Sequence, residues 1–197
     1  MSVDLAAAES VLGGLRPYPI AVTTITGERV NGLISLSAGS GSVLREAPRV
    51  QVSLAKRNLT HDLVKESGVY AMHLLADGEG EVLQRSLDII MGLGGRSGRD
   101  ADKIAEFDTK PGVTGSPILL GAHSYVEGRV VKEFDMDENT LFLADVVAAE
   151  RLQRAPKLTI GNAWPSLPKE WTEAYERGLI HEYNAARVRR GLPEQPA

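Results

Sequence analysis

The sequence predicts a mainly β (α+β) fold, an antiparallel barrel with helical insertions and a C-terminal helical extension. Three observations predict it. Strand-like runs come in pairs joined by turn residues, no regular strand-helix alternation supports a parallel sheet, and helical composition is confined to the first residues, inserted segments and the tail. A chain of 197 residues fits one domain with a terminal extension, read as residues 1–150 and 151–197.

Asp4 is placed to cap a short helix through Leu12, ended by Gly13-Gly14. Pro17 and Pro19 lack the N–H that a ladder needs, so the first strand begins near Ile20 and runs to Thr26. Thr26-Gly27-Glu28-Arg29 turns the chain, and Val30 to Ser37 is a second strand carrying Asn31-Gly32. Ser37 to Ser42 is a loop of small residues through which backbone N–H groups can approach a ligand. Arg49 to Ala55 alternates as a strand. Lys56-Arg57-Asn58-Leu59-Thr60 then puts cations and short polar donors just before a helix, which Asn58 or Thr60 caps and Ser67-Gly68 ends. Cations beside a helix N-terminus suit a phosphate.

Val69 to Leu75 reads as a strand, and Glu79 to Ile90 as an amphipathic helix with Val82, Leu83, Leu87 and Ile90 on one face. Gly92 to Gly98 fits neither G-x-G-x-x-G nor the P-loop pattern and follows a helix, so it reads as a flexible linker. A short helix is expected over Asp100 to Glu106, and a turn over Lys110 to Gly115. Ile118 to Leu120, Ser124 to Phe134 and Thr140 to Glu150 are strands, the last two joined by a hairpin loop over 135–139. Lys169 to Arg177 and Ile180 to Arg190 are helical in composition and are expected to break at Gly178.

A net charge of −4 and a pI near 5.6 argue against nucleic acid as a partner. The absence of cysteine excludes disulfides, thiolate metal sites and cysteine nucleophiles, and points to the cytoplasm. The first residues, 1–14, lack a basic n-region, and no apolar run approaches the roughly 18 residues of a membrane span, so a soluble protein away from membranes is expected. His61, His73, His123 and His181 are too widely spaced for a metal motif, and Pro117 after Ser116 spoils a nucleophile elbow. Asp135, Asp137 and Asn139 lack the glycine and terminal glutamate of a calcium loop and read as a hairpin tip. No side chain stands out as a catalytic acid or base.

The order of these pieces resembles the flavin reductase-like, FMN-binding split-barrel family, the reductase components of two-component flavin-dependent monooxygenases. The likeness continues through Val69 to Leu75, Gly98 to Ile104, Gly115 to Leu119 and Asn139 to Val147, and covers roughly residues 16 to 150. It implies a split barrel of Greek-key type, a homodimer, FMN as cofactor with FAD as the alternative, and NAD(P)H as co-substrate. Hydride would pass to the flavin, and reduced flavin to an oxygenase component. Arg57, Asn58 and Thr60 would hold the phosphate, with Lys56 and Ala55 lining the approach. Asn31, Gly32, Leu33, Ile34, Ser35, Leu36 and Ser37 would run beside the ring and ribityl chain, with Ser37 and Ala38 nearest the pyrimidine edge. Arg96 or Arg99 would touch a dinucleotide. Three positions depart from the family pattern: Ile34 and Leu36 stand where members often carry Thr and Ser, and Asn139 where many carry a histidine associated with nicotinamide. That last departure leaves open a deazaflavin coenzyme or a partner protein as electron donor. The alternative function is an FMN-binding electron carrier or sensor, and beyond it a non-flavin barrel serving protein interaction. Trp164, Trp171 and Tyr175 in the tail are expected at the dimer interface.

Overall fold

In the computed structural model residues 4–195 are described; the outermost residues of the two expected segments, 1–3 and 196–197, lie outside them. The elements are α1 (Leu5–Gly14), β1 (Ile20–Thr26), β2 (Arg29–Ser35), β3 (Ala38–Ser40), β4 (Arg49–Ala55), α2 (Leu59–Ser67), β5 (Val69–Leu74) and α3 (Glu81–Gly94). They continue with β6 (Thr109–Pro111), β7 (Pro117–Leu119), β8 (Ser124–Met136), β9 (Asn139–Arg151), α4 (Ile160–Ser166) and α5 (Lys169–Arg189).

A strand buried on both faces needs apolar partners on both sides, and β1 is the case that organises this molecule. Its Ile20 and Val22 join an inner cluster with Val52, Leu54, Tyr70, Met72 and Phe142. Ala21, of opposite parity along the strand, joins an outer cluster with Leu87, Ile90, Leu93, Leu119 and Leu158. Around β1 the strands run β2-β1-β5-β8-β9-β4-β3, every neighbouring pair antiparallel. The sheet curls into a half-barrel whose edges meet at serines. The Ser35 hydroxyl donates to the Ser53 carbonyl at 3.3 Å, and the Ser53 N–H donates to the Ser37 carbonyl at 2.8 Å. β6 and β7 form a separate ribbon against the helical side.

Several expectations are corrected. Helix α3 runs through the glycines to Gly94 because they are packed: a Cβ on Gly92 would strike the Phe107 ring, and one on Gly95 would strike Trp171. No helix forms over Asp100 to Glu106; turns take its place, since the Asp102 carboxylate accepts the N–H groups of Ile104 and Ala105. α5 continues unbroken through Gly178. The β8–β9 hairpin is tighter than expected, with Met136 opposite Asn139 and Asp137 at φ 61°. The small-residue loop contains β3, and the turn at Lys110 to Gly115 begins in β6. The buried Glu127 carboxylate holds that turn, accepting from the N–H groups of Val113 and Thr114 at 2.9 and 2.8 Å.

The extension packs on its own barrel, with Leu158, Ala163 and Leu167 in the outer cluster and Trp164 and Trp171 against it. Trp171 and Tyr175 stack with centroids 5.1 Å apart, and Trp164 meets both edge-on. The aromatic trio expected at a dimer interface is therefore used within the chain.

His73 on β5 is fully buried beside Ala21 and Leu119 of the outer cluster. One ring nitrogen, Nδ1, lies 3.1 Å from the Ala21 carbonyl, and the other, Nε2, accepts the Leu119 N–H at 3.2 Å, so the proton of the neutral ring sits on Nδ1. Burial pushes its pKa down to about 4, against the upward pull of the Ala21 carbonyl and the Glu127 charge. The unfolded chain takes up this proton near pH 6.5 and the folded chain only near 4, so the contribution is flat above 6.5 and stability falls as pH drops below it. Between about pH 6.5 and 5 the loss should approach about 2 kcal/mol. Urea denaturation across that range checks it: His73→Leu should be less stable at neutral pH but should lack this slope.

Candidate functional site

The turn from β4 into α2 carries Arg57 and Asn58 to the surface at the start of the helix. Asn58 is the N-cap, yet its side chain makes no capping hydrogen bond, and the first amides of any helix have no intrahelical acceptor. These donors form one wall of a cavity of about 440 Å³. Its floor is Asn31, Leu33 and Ile34 of β2 with Leu93 of α3, its opposite wall is the 94–99 loop, and α5 lies across it with Tyr175, Gly178, Leu179 and Glu182.

Asn31 is locked in place. Its Nδ2 donates to the Thr60 hydroxyl at 3.0 Å, both residues are buried, and Gly98 lies so close that an added Cβ would come within 2.5 Å of the Asn31 amide nitrogen. The loop carrying Gly98 is folded by Lys103, whose buried ammonium donates to the carbonyls of Leu93 at 2.8 Å and Arg96 at 3.2 Å. Burial, and then the Arg96 charge, push the Lys103 pKa down to about 8, so it still carries its proton at neutral pH.

Three arginines border the cavity, each with a carboxylate partner. Arg96 pairs with Glu106, Arg99 with Asp62 at 2.6 Å, and Arg57 with Glu182 at 2.7 Å. At Asp62 burial raises the pKa, but hydrogen bonds from His61 and Arg99 outweigh it and hold the carboxyl below its usual value. At Tyr175 burial, and next the Glu182 charge, push the phenol up.

The structure thus brings Asn31, Leu33, Ile34, Arg57, Asn58, Thr60, Arg96 and Arg99 to one cavity. Gly32 does not line the cavity; a Cβ there would press on the Val22 carbonyl and on the Ile104 and Leu93 side chains. The remaining candidates are elsewhere. Ser35 and Ser37 close the barrel edge, and Leu36 is exposed. Ala38 lines a second, more apolar cavity of about 470 Å³ with Tyr18, Met72 and Val146. Lys56 pairs with Asp135 at 2.6 Å beside the β8–β9 tip, where Ala55 faces Asn139 across the ladder. Among the residues that sequence reasoning missed are Leu93, Lys103 and those of α5. Ala174, Gly178 and Glu182 recur every fourth residue, a signal that Gly178 instead suggested was a break. Among the described residues no cluster of three or more His, Cys, Asp or Glu could hold a metal ion, and no helix is long and apolar enough to cross a membrane.

A family model described as a flavin reductase like domain matches residues 14–162. The chain belongs to this family. A ferric-chelate reductase (NAD(P)H) of Archaeoglobus fulgidus is 35% identical over 112 residues, 56% of this chain and 63% of that protein, so the chain spans less than two thirds of this relative's length. The crystal structure of an FMN-binding protein from Thermus thermophilus with bound 1-cyclohex-2-enone superposes with a TM-score of 0.60 at 27% identity, covering 69% of this chain and 71% of that one. An NADH:FAD oxidoreductase of Streptomyces globisporus superposes with a TM-score of 0.67 over 83% and 92% of the two chains, at 20% identity a likeness of fold alone. The antiparallel split barrel expected from the sequence is the fold found, as in other flavin reductase-like proteins.

For this flavin reductase-like chain, the Asn31 contact is testable without ligand. Gly98→Ala should destabilise the fold by about 1–3 kcal/mol through overpacking. Asn31→Ala in the same chain should return part of that loss, a coupling that a double-mutant cycle in denaturant would measure. Simple additivity would show that the two residues do not press on each other.

Proposed function

We propose that the protein is a flavin reductase that takes hydride from NAD(P)H onto FMN held in the α2 cavity, and that reduced flavin then serves an oxygenase component. The observation that carries this reading is one wall of that cavity, where Arg57, Asn58 and the start of α2 face the same space as apolar Leu33, Ile34 and Leu93. A cation fork, an uncommitted amide side chain and a helix N-terminus suit a dianionic phosphate, while the apolar floor suits an aromatic ring. The residues present therefore fit a phosphorylated flavin. When bound, the flavin supplies the hydride-accepting ring.

The chain's own part is binding and orientation. Arg57 and Asn58 hold the phosphate by charge-assisted hydrogen bonds, the α2 dipole adds partial positive charge, and Leu33, Ile34 and Leu93 exclude water from the ring. Arg96 and Arg99 stand on the opposite wall, where a second phosphate would reach them, so FAD is the alternative flavin. Support for a nicotinamide donor comes from the relative named for NAD(P)H. Asn139 gives no guide to it, because it lies outside the cavity. A homodimer completes the proposal. It is supported by the apolar second cavity on the half-barrel and by α1, none of whose residues is buried.

Purified protein supplied with FMN should oxidise NADH or NADPH. If it binds FMN but oxidises neither, the carrier or sensor reading replaces this one. Arg57→Ala should weaken FMN about ten- to a hundredfold, the size of a lost charge-assisted hydrogen bond, and leave riboflavin unchanged. Sedimentation velocity at micromolar concentration should show a dimer, and a monomer with full flavin occupancy would remove that part of the proposal.

A further inference from the structure

We propose that Glu182 is a specificity-setting residue, an internal carboxylate that occupies Arg57 and competes with the flavin's phosphate, so that phosphorylated flavin is held loosely enough to exchange. The inference rests on the reading of Arg57 as the phosphate seat.

Glu182 is the one carboxylate among the described residues lining the cavity. The partners of Arg96 and Arg99, Glu106 and Asp62, are not lining residues; they tie those arginines to the body of the fold. Arg57 alone is paired with a lining residue, and that residue comes from α5, a helix with no buried residue. The contact runs through one guanidinium nitrogen at 2.7 Å, between side chains 40% and 37% exposed. An exposed single-point pair of this kind is weak. A phosphate that engages two guanidinium nitrogens replaces it, but the displaced carboxylate stays tethered beside a dianion of the same sign.

The neighbouring face of α5 fits this role. Gly178 lies one turn before Glu182 on the cavity side, and a Cβ there would meet nothing within 4 Å. Packing within the chain therefore does not call for glycine, although glycine weakens a helix interior. Its effect is to leave open space next to the Arg57–Glu182 pair.

The test is titration of the full chain with FMN and with riboflavin, followed by quenching of flavin fluorescence, for wild type, Glu182→Gln and Arg57→Ala. Glutamine preserves shape and helix propensity, so the variant keeps its melting temperature without ligand. Glu182→Gln should tighten FMN about three- to tenfold, the scale of an exposed ion pair plus a removed like-charge contact, and change riboflavin less than about twofold. Unchanged or weaker FMN binding in Glu182→Gln, with Arg57→Ala still separating FMN from riboflavin, overturns the role of Glu182 and leaves the phosphate seat standing. Equal tightening of both flavins also overturns it, since the effect would then not act on the phosphate. If Arg57→Ala weakens both flavins equally, the seat lies elsewhere and the inference falls with it.

Discussion

The Lys103 ammonium, buried under α3, is the contact on which the cavity depends. It ties the Leu93 carbonyl in the last turn of that helix to the Arg96 carbonyl in the loop beyond and turns the loop back, so that Arg96, Gly98 and Arg99 face α2 instead of running on as helix. A buried cation is costly unless its donors are used; here one reaches the Leu93 carbonyl at the negative end of α3, where positive charge is favoured, and another the Arg96 carbonyl of the loop. Its pKa is lowered but stays high enough to keep the proton at neutral pH, so the latch is charged whenever the protein is near neutrality.

Once the loop is fixed, its glycines act as contact surfaces. Gly98 admits the Asn31 amide, Gly92 the Phe107 ring and Gly95 the Trp171 indole. β2, α3 and α5 therefore meet at distances that a Cβ would not allow. This also explains how the tail reaches the site: Trp171 docks on the glycine end of α3, stacks on Tyr175, and so directs the next two turns of α5 over the cavity.

Much of the barrel was legible because its signals are local. Alternation in Arg49 to Ala55, the prolines before Ile20 and the Ser67-Gly68 stop each decide a boundary within a few residues, and the structure follows them. The wall of the cavity formed by Arg57 and Asn58 was legible for the same reason, since they announce a helix start by type and position. What could not be read depends on partners distant in sequence. Gly92 to Gly98 looks flexible until Phe107, Asn31 and Trp171 fill the space around it. Gly178 looks like a break until α5 is seen continuing past it along the cavity. The expected ligand strip from Ser35 to Ala38 follows directly on Asn31, Leu33 and Ile34 of the α2 cavity, but its groups close the barrel edge or face the second cavity.

Under the proposed reading, the acidic residue on α5 fits a site in which tight binding is a liability. With an association rate constant of about 10⁶ M⁻¹s⁻¹, a flavin held at about 1 nM leaves at about 10⁻³ s⁻¹, far below a typical turnover of about 10 s⁻¹. Release keeps pace with such a turnover only when the dissociation constant is near 10 μM, on the order of 5 kcal/mol weaker. The proposed seat of Arg57, Asn58 and a helix N-terminus would pull towards the tight limit, since each charge-assisted contact adds roughly 1.5–3 kcal/mol. Lowering affinity by deleting donors would also lose the orientation they impose. In the proposed arrangement a carboxylate on the covering helix lowers affinity while leaving every donor in place, because its like charge destabilises the bound phosphate without changing the geometry the donors impose.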